Sequence, residues 1–181
     1  MLIDLSLPIG DDNPFVKEDL SVARLGHTGT HLDIMNAGPL SPERFISKGR
    51  LFNVSATHGR QIEPSDFSND VHEGDFVIFQ TGWLRDTYGT DAYFKNYPEL
   101  SQATIELLVK QKVNLIGIDS PGARRGENHK TVDRYCAEHN IFIVENIANL
   151  ELITKNTFNV YCFPLNLQGT NGLPVRIVAE V

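Results

Sequence analysis

Cysteine is scarce in this chain, with only Cys136 and Cys162 among 181 residues. The two stand far apart in apolar stretches, so they form neither a disulfide framework nor a Cys-x-x-Cys site, and buried free thiols are expected. Positive charge is also in short supply. Sixteen Lys and Arg face 23 Asp and Glu, for a net charge of −7, and the basic residues are scattered except at Arg124-Arg125. Nucleic acid and anionic membrane are therefore not expected as partners. No stretch approaches the ~20 apolar residues of a membrane span. The opening MLIDLSLPIGDD has neither the basic region nor the apolar run of a secretory signal, and a cytoplasmic protein is expected. Repeats, low-complexity tracts and linker-like runs are missing too. With 41% hydrophobic residues the chain has material for one core and hardly for two, so residues 1–181 read as one domain.

What the chain does contain is a succession of strand-like segments. MLIDLSLPI alternates apolar and polar side chains up to Pro8, and RLFNVSAT and GDFVIFQTGW read as strands, the second entered through the turn residues Glu73 and Gly74. SQATIELLVKQKV is the clearest helix, capped by Ser101, with Ile105, Leu107, Leu108 and Val113 as its apolar stripe. NLIGIDSPG is a short strand ending at Asp119 and a Ser-Pro-Gly turn, a common location for active-site carboxylates in α/β proteins. The segment NHKTVDRYCAEHN predicts a helix from about Thr131 to a stop near Asn140. IFIVEN predicts a buried strand closing on Glu145, a carboxylate that needs a cation beside it. FNVYCFPLNL and LPVRIVAEV add two strands around the turn QGTNG. Many strands with one or two helices indicate an α/β single domain, a mixed β-sheet core with a few flanking helices. Trp83, Phe76 and Phe79 are expected in the core or at a dimer interface.

The chemistry concentrates in GHTGTHLDIMNAGP, where His27, His31 and Asp33 fall within seven positions of a chain with six histidines. The Thr-Gly-Thr between the histidines is poor helix material. On a strand, positions 27, 29, 31 and 33 point the same way, with Gly29 leaving room between the side chains. Two nitrogens and one oxygen suit Zn²⁺ or Mn²⁺ and leave coordination positions open, as a catalytic site requires. Ordinary polar histidines on an exposed strand would produce the same spacing.

HTGTHLD also resembles the signature of the metal-dependent cyclase family, the group of kynurenine formamidase and isatin hydrolase, whose pattern runs His-x-Gly-Thr-His-x-Asp-x-Pro-x-His. IGIDSPG is similar to that family's mid-chain strand and turn, IFIVENIANLELI to its Glu-Asn-Leu segment and GLPVRIVAEV to its closing strand. The resemblance implies a swivelling β/β/α-like fold and one or two divalent ions per chain, with Zn²⁺ expected ahead of Mn²⁺. It implies His27, His31 and Asp33 as metal ligands, Asp33 able to bridge two ions, and Glu145 as a ligand of the second. A further histidine of the family aligns with Asp133, and His129, one helical turn earlier, is the other candidate.

The signature is incomplete at its end, where Met35 replaces the proline and Ala37 the final histidine. In the resembled enzymes that histidine looks like the general acid/base, a role worth roughly 10²–10⁴-fold in rate. His129, His58 or Glu127 is left to take over proton transfer, and His129 is the expected catalytic residue. His139 reads as a surface or capping residue, and Asn36 as a turn cap. Arg124 and Arg125 in ARRGENHK suit a substrate carboxylate or phosphate, or a solvated charged loop. Gln168, Thr170 and Asn171 are explained by turn chemistry without a functional role. The expected activity is metal-dependent hydrolysis of an amide or other C–N bond in a small, cyclic or anionic molecule, arylformamidase-like, in a homo-oligomer. The competing readings are a metal-containing binding or regulatory protein with no turnover and a metal-free structural protein.

Overall fold

The computed structural model describes residues 1–7, 26–35, 37, 40–57, 59–68, 70–167 and 170–181. Within them lie β1 (Leu2–Asp4), β2 (His31–Asp33), β3 (Ile46–Asn53), β4 (Phe76–Gln80), β5 (Leu115–Ile118), β6 (Phe142–Glu145), β7 (Thr157–Pro164) and β8 (Gly172–Glu180). Their order is β1-β8-β2-β6-β5-β4-β3-β7, and β7 pairs again with β8, so the sheet closes into a barrel with β1 alongside β8. Strands β3, β4, β5 and β6 run parallel to one another, and the other pairings are antiparallel. The long β8 makes closure possible: Gly172–Pro174 pair with β2, and Val175–Glu180 pair with β7.

Side-chain alternation sorts the apolar residues into two cores. Phe76 and Ile78 of β4, Leu115 of β5 and Phe142 and Val144 of β6 fill the barrel with Leu32 of β2. Their strand neighbours Val77, Phe79, Ile116, Ile118 and Ile143 face outward under two helices. Strands buried on both faces read as continuous apolar runs, which is why FVIF and FIV show no alternation in the sequence. Those helices are α2 (Gln102–Lys110) and α3 (Glu127–Glu138), and a single-turn α1 (Trp83–Thr87) precedes them. In α2 the Ser101 hydroxyl accepts the Thr104 N–H as expected of a cap, and Ile105 and Leu108 are buried.

Several boundaries differ from the sequence expectation. Helix α3 starts at Glu127 rather than near Thr131, because Gly126, with φ 59°, turns the chain into the helix and Glu127 suits the positive end of its dipole. Strand β3 begins earlier, at Ile46, while Ser55–Thr57 form a 3₁₀ turn. The described helices number three rather than one or two, since α1 is too short to show a helical period. Of MLIDLSLPI, Leu2–Asp4 form the strand and the last two residues lie outside the described residues. Phe76 and Phe79 are fully buried core residues, and Cys136 and Cys162 are free and buried, their thiols pushed up to about 12 by burial. No described helix is long and apolar enough to cross a membrane.

Candidate metal centre

Strand register brings two sequence-distant candidates together. In the β2–β6 pair His31 lies directly opposite Glu145. Because Leu32 and Val144 point into the barrel, His31, Asp33 and Glu145 point outward, on the side covered by α3. Helix α3 buries Val132, Asp133 and Cys136 there, and His129, one turn before Asp133, falls on the same face. Thus the second and third turns of α3 supply apolar packing, and its first turns supply donors.

His27 arrives by another route. Only His31–Asp33 lie on the strand β2, and His27 comes from the turn before it. Gly26 (φ 85°) and Gly29 (φ 62°) bend the chain so that His27 returns to the cluster, its Nδ1 2.9 Å from Asp33 Oδ1. The Gly172 backbone lies under the His27 ring, where a Cβ would come within 3.1 Å of Cε1.

The resulting arrangement consists of two donor sets that share Asp33. His27, His31 and Asp33 form one, and Asp33, His129, Asp133 and Glu145 the other, with the donor atoms of each set within 4.8 Å of one another. In the second set His129 Nε2 lies 3.0 Å from Glu145 Oε1, 3.3 Å from Asp133 Oδ2 and 3.9 Å from Asp33 Oδ2. Asp33 belongs to both sets, and Glu145 of the second also faces His31 of the first. Asp33 turns Oδ1 toward His27 and His31 and Oδ2 toward His129, while Glu145 turns Oε2 toward His31 at 3.3 Å and Oε1 toward His129.

Surrounding groups hold these side chains in place. His31 Nδ1 lies 2.9 Å from the Gly29 carbonyl; with the proton there it donates to that oxygen and leaves Nε2 as the free donor. Asn146 Nδ2 donates to the same carbonyl at 2.9 Å, and its Oδ1 accepts from the buried Tyr93 hydroxyl. Sequence reading missed Asn146. Its signal was its place directly after Glu145, where the chain takes a left-handed φ of 58° that Asn tolerates better than most residues.

Electrostatics match a cation site. Burial opposes a charge on His31, but the Glu145 and Asp33 carboxylates outweigh it and raise the imidazole to about 9. His129 is likewise raised to about 11 against burial, by Asp33, Glu145 and Asp133. Burial pushes Asp33 up, yet His129, His27 and His31 pull it well below the usual carboxylate range. For Asp133, burial and the Asp33 charge act together and raise it.

The donor atoms fit a bound cation. His31 Nε2, both Asp33 oxygens, Asp133 Oδ1 and Glu145 Oε1 are buried, in residues no more than 3% exposed, and outside the cluster's own close contacts they have no hydrogen-bond partner. Leaving such atoms unpaired costs free energy. They are close together, and a divalent ion in each donor set would accept the members of that set.

Other candidates lie elsewhere. Asp119 is tied up structurally: Oδ1 accepts from Thr81 N–H and hydroxyl and Oδ2 from Gly82 N–H, which fixes the turn into α1. Arg124 and Arg125 both turn to Glu99, at 3.5 and 2.5 Å. Glu127 is exposed on the first turn of α3 and outside the cluster. His139 ends that helix with Nδ1 2.8 Å from the Tyr135 carbonyl, matching its expected capping role. The Asn171 carbonyl accepts the Ile34 and Met35 N–H groups at the end of β2, and Thr170 is half-buried beside it. Ala37 packs against the barrel core. Asn36, His58 and Gln168 lie outside the described residues.

Known proteins are similar to this chain in sequence and in fold. A kynurenine formamidase from Erythrobacter litoralis is 25% identical over 166 residues, 86% of this chain and 74% of the relative. A potential metal-dependent hydrolase with cyclase activity has the same fold, with a TM-score of 0.79 at 22% identity over 99% of this chain and 96% of its own. Isatin hydrolase A from Labrenzia aggregata, bound to benzyl benzoate, also gives 0.79, at 15% identity over 100% of this chain and 93% of its own. The family model described as "Putative cyclase" matches residues 3–124, which include β1 to β5 and the first donor set. With two thirds of its length matched and its barrel shared with metal-dependent hydrolases, the chain belongs to the cyclase family.

Proposed function

We propose that this protein is a metal-dependent hydrolase that opens an amide or other C–N bond in a small molecule. The carrying observation is that two donor sets share Asp33, which turns Oδ1 to His27 and His31 of the first and Oδ2 to His129 of the second, an arrangement suited to two adjacent divalent ions. His27, His31 and Asp33 would hold the first, and Asp33, His129, Asp133 and Glu145 the second. Such ions, Zn²⁺ or Mn²⁺, polarise a carbonyl and lower the pKa of water toward ~7. The relatives' names favour an arylformamide or a cyclic amide as substrate, and they favour turnover over a binding-only role.

The protein's own groups then have defined tasks. His31 is fixed through Nδ1 and offers Nε2. His129 was expected as the catalytic residue; with Nε2 turned into three carboxylates, we assign it to the second ion position. His27 and His129 are the members that reach solvent, their side chains 29% and 28% exposed. Water enters along that edge, adds across the C–N bond to give an acid and an amine, and the released proton leaves by the same edge.

The reading extends to a cytoplasmic protein, supported by two free thiols, and to a homo-oligomer, supported by exposed Ile46, Phe163, Leu165 and Leu167. The test is elemental analysis with amide-hydrolysis assays on the wild type, His31→Ala and Asp33→Asn. Bound ions and hydrolysis lost together in both variants support the proposal. A wild-type protein that takes up no ion after incubation with Zn²⁺ or Mn²⁺ overturns it.

A further inference from the structure

The two donor sets are chemically unequal. The first offers two imidazole nitrogens and one carboxylate oxygen, whereas the second offers three carboxylates and one imidazole nitrogen. Resting on the two-position reading above, we propose that the positions select different cations, a zinc-class ion at His27, His31 and Asp33 and a harder, manganese-class ion at Asp33, His129, Asp133 and Glu145.

The argument is one of donor type and charge. Imidazole suits borderline metals such as Zn²⁺, while carboxylates suit hard ions such as Mn²⁺. The first set holds one carboxylate, itself shared, and the second holds three. Asp133 makes the difference. It reaches the cluster from α3, four residues after His129, is 3% exposed and keeps Oδ1 without a hydrogen-bond partner. A helix fixes that i, i+4 pair, so the oxygen-rich composition is built into the fold. Zn²⁺ binds more tightly than Mn²⁺ at most sites of either kind. The margin shrinks as nitrogen gives way to oxygen, so selectivity emerges under competition for limiting zinc.

The test equilibrates the full-length protein with one equivalent of Zn²⁺ and excess Mn²⁺, removes free ions by gel filtration and counts both metals by elemental analysis, with Mn²⁺ also read by electron paramagnetic resonance. One zinc and one manganese per chain are expected. His27→Ala should lose the zinc and keep the manganese, and Asp133→Asn the reverse. Asp133→His, which adds a nitrogen to the second set, should exchange manganese for zinc when zinc is no longer limiting, under conditions where the wild type keeps manganese. Circular dichroism confirms that each variant is folded. If His27→Ala and Asp133→Asn each lose both metals in proportion, the positions are unselective and the inference is overturned while the two-position reading stands. Fewer than two ions per wild-type chain in total overturns that reading, and the inference with it.

Discussion

Gly122 is a residue whose value lies in the side chain it does not have. It sits in the turn between β5 and α3, where a Cβ would come within 2.7 Å of His129 Cε1, 2.9 Å of Nδ1 and 3.0 Å of the Arg124 carbonyl oxygen. The first of these is about 0.7 Å short of the 3.4 Å at which ordinary contact begins. The Arg124 backbone cannot yield easily, so in Gly122→Ala the imidazole must move. Metal–ligand distances tolerate only about 0.2 Å, and displacing a supported ligand typically costs about 10–100-fold in metal affinity, or about 1.4–2.7 kcal/mol. We expect Gly122→Ala to weaken the second ion by that factor and to leave the first in place, since the atoms nearest to the added Cβ belong to His129 and Arg124. Competition with a chromophoric chelator measures both affinities. The same substitution in a His129→Ala background should add almost nothing, because the displaced ring is gone. Equal weakening in both backgrounds would refute the reasoning and make Gly122 a general structural residue.

Two other outcomes follow from the site and its surroundings. The ion-free protein should be most stable below pH 6.5 and lose stability as pH rises through about 9 and then about 11, because His31 and His129 bind their protons more tightly folded than the unfolded imidazole at 6.5. Added Zn²⁺ or Mn²⁺ replaces those protons, so the metal-induced rise in Tm should grow over the same range; melts at pH 6 and 9.5 with and without chelator check this, and a flat chelated Tm would count against it. Asp119→Ala removes three buried hydrogen bonds to Thr81 and Gly82, and urea unfolding should show a loss on the order of 3 kcal/mol. Its ion content should match the wild type, and a missing ion would instead make Asp119 part of the metal site.

Most of the strands were legible because local pattern and length agree: FVIF, LIGI and IFIVE are short apolar runs bounded by turn residues. Barrel closure was not legible, since it depends on β8 pairing with β2 at one end and β7 at the other, and no local pattern encodes a strand's second partner. The site was legible as a set of residue types, through HTGTHLD and an isolated Glu145. Its geometry was only half so. His31 and Asp33 share a face by strand parity, but His27 joins them through two left-handed glycines, and the opposition of His31 and Glu145 is a matter of register. Asp119 stands at a strand end, a place where a carboxylate serves a turn as readily as a substrate, and here it bonds the turn.

Met35 and Ala37 have a structural setting of their own. Met35 has a left-handed φ of 47° and donates its N–H to the Asn171 carbonyl at 3.1 Å, neither of which proline can do. The chain after β2 therefore turns differently from one with proline at that place, and Ala37 packs against the barrel core, while the donor sets lie on the outer face of the sheet. A histidine at 37 would enter apolar surroundings from this turn. The imidazole comes instead from α3, where His129 stands one turn ahead of Asp133 against the Gly122 backbone. A donor on a helix is held by the helix's own hydrogen bonds as well as by its neighbours. The oxygen-rich character of the second donor set follows from Asp133 on α3 facing the same carboxylates that receive His129.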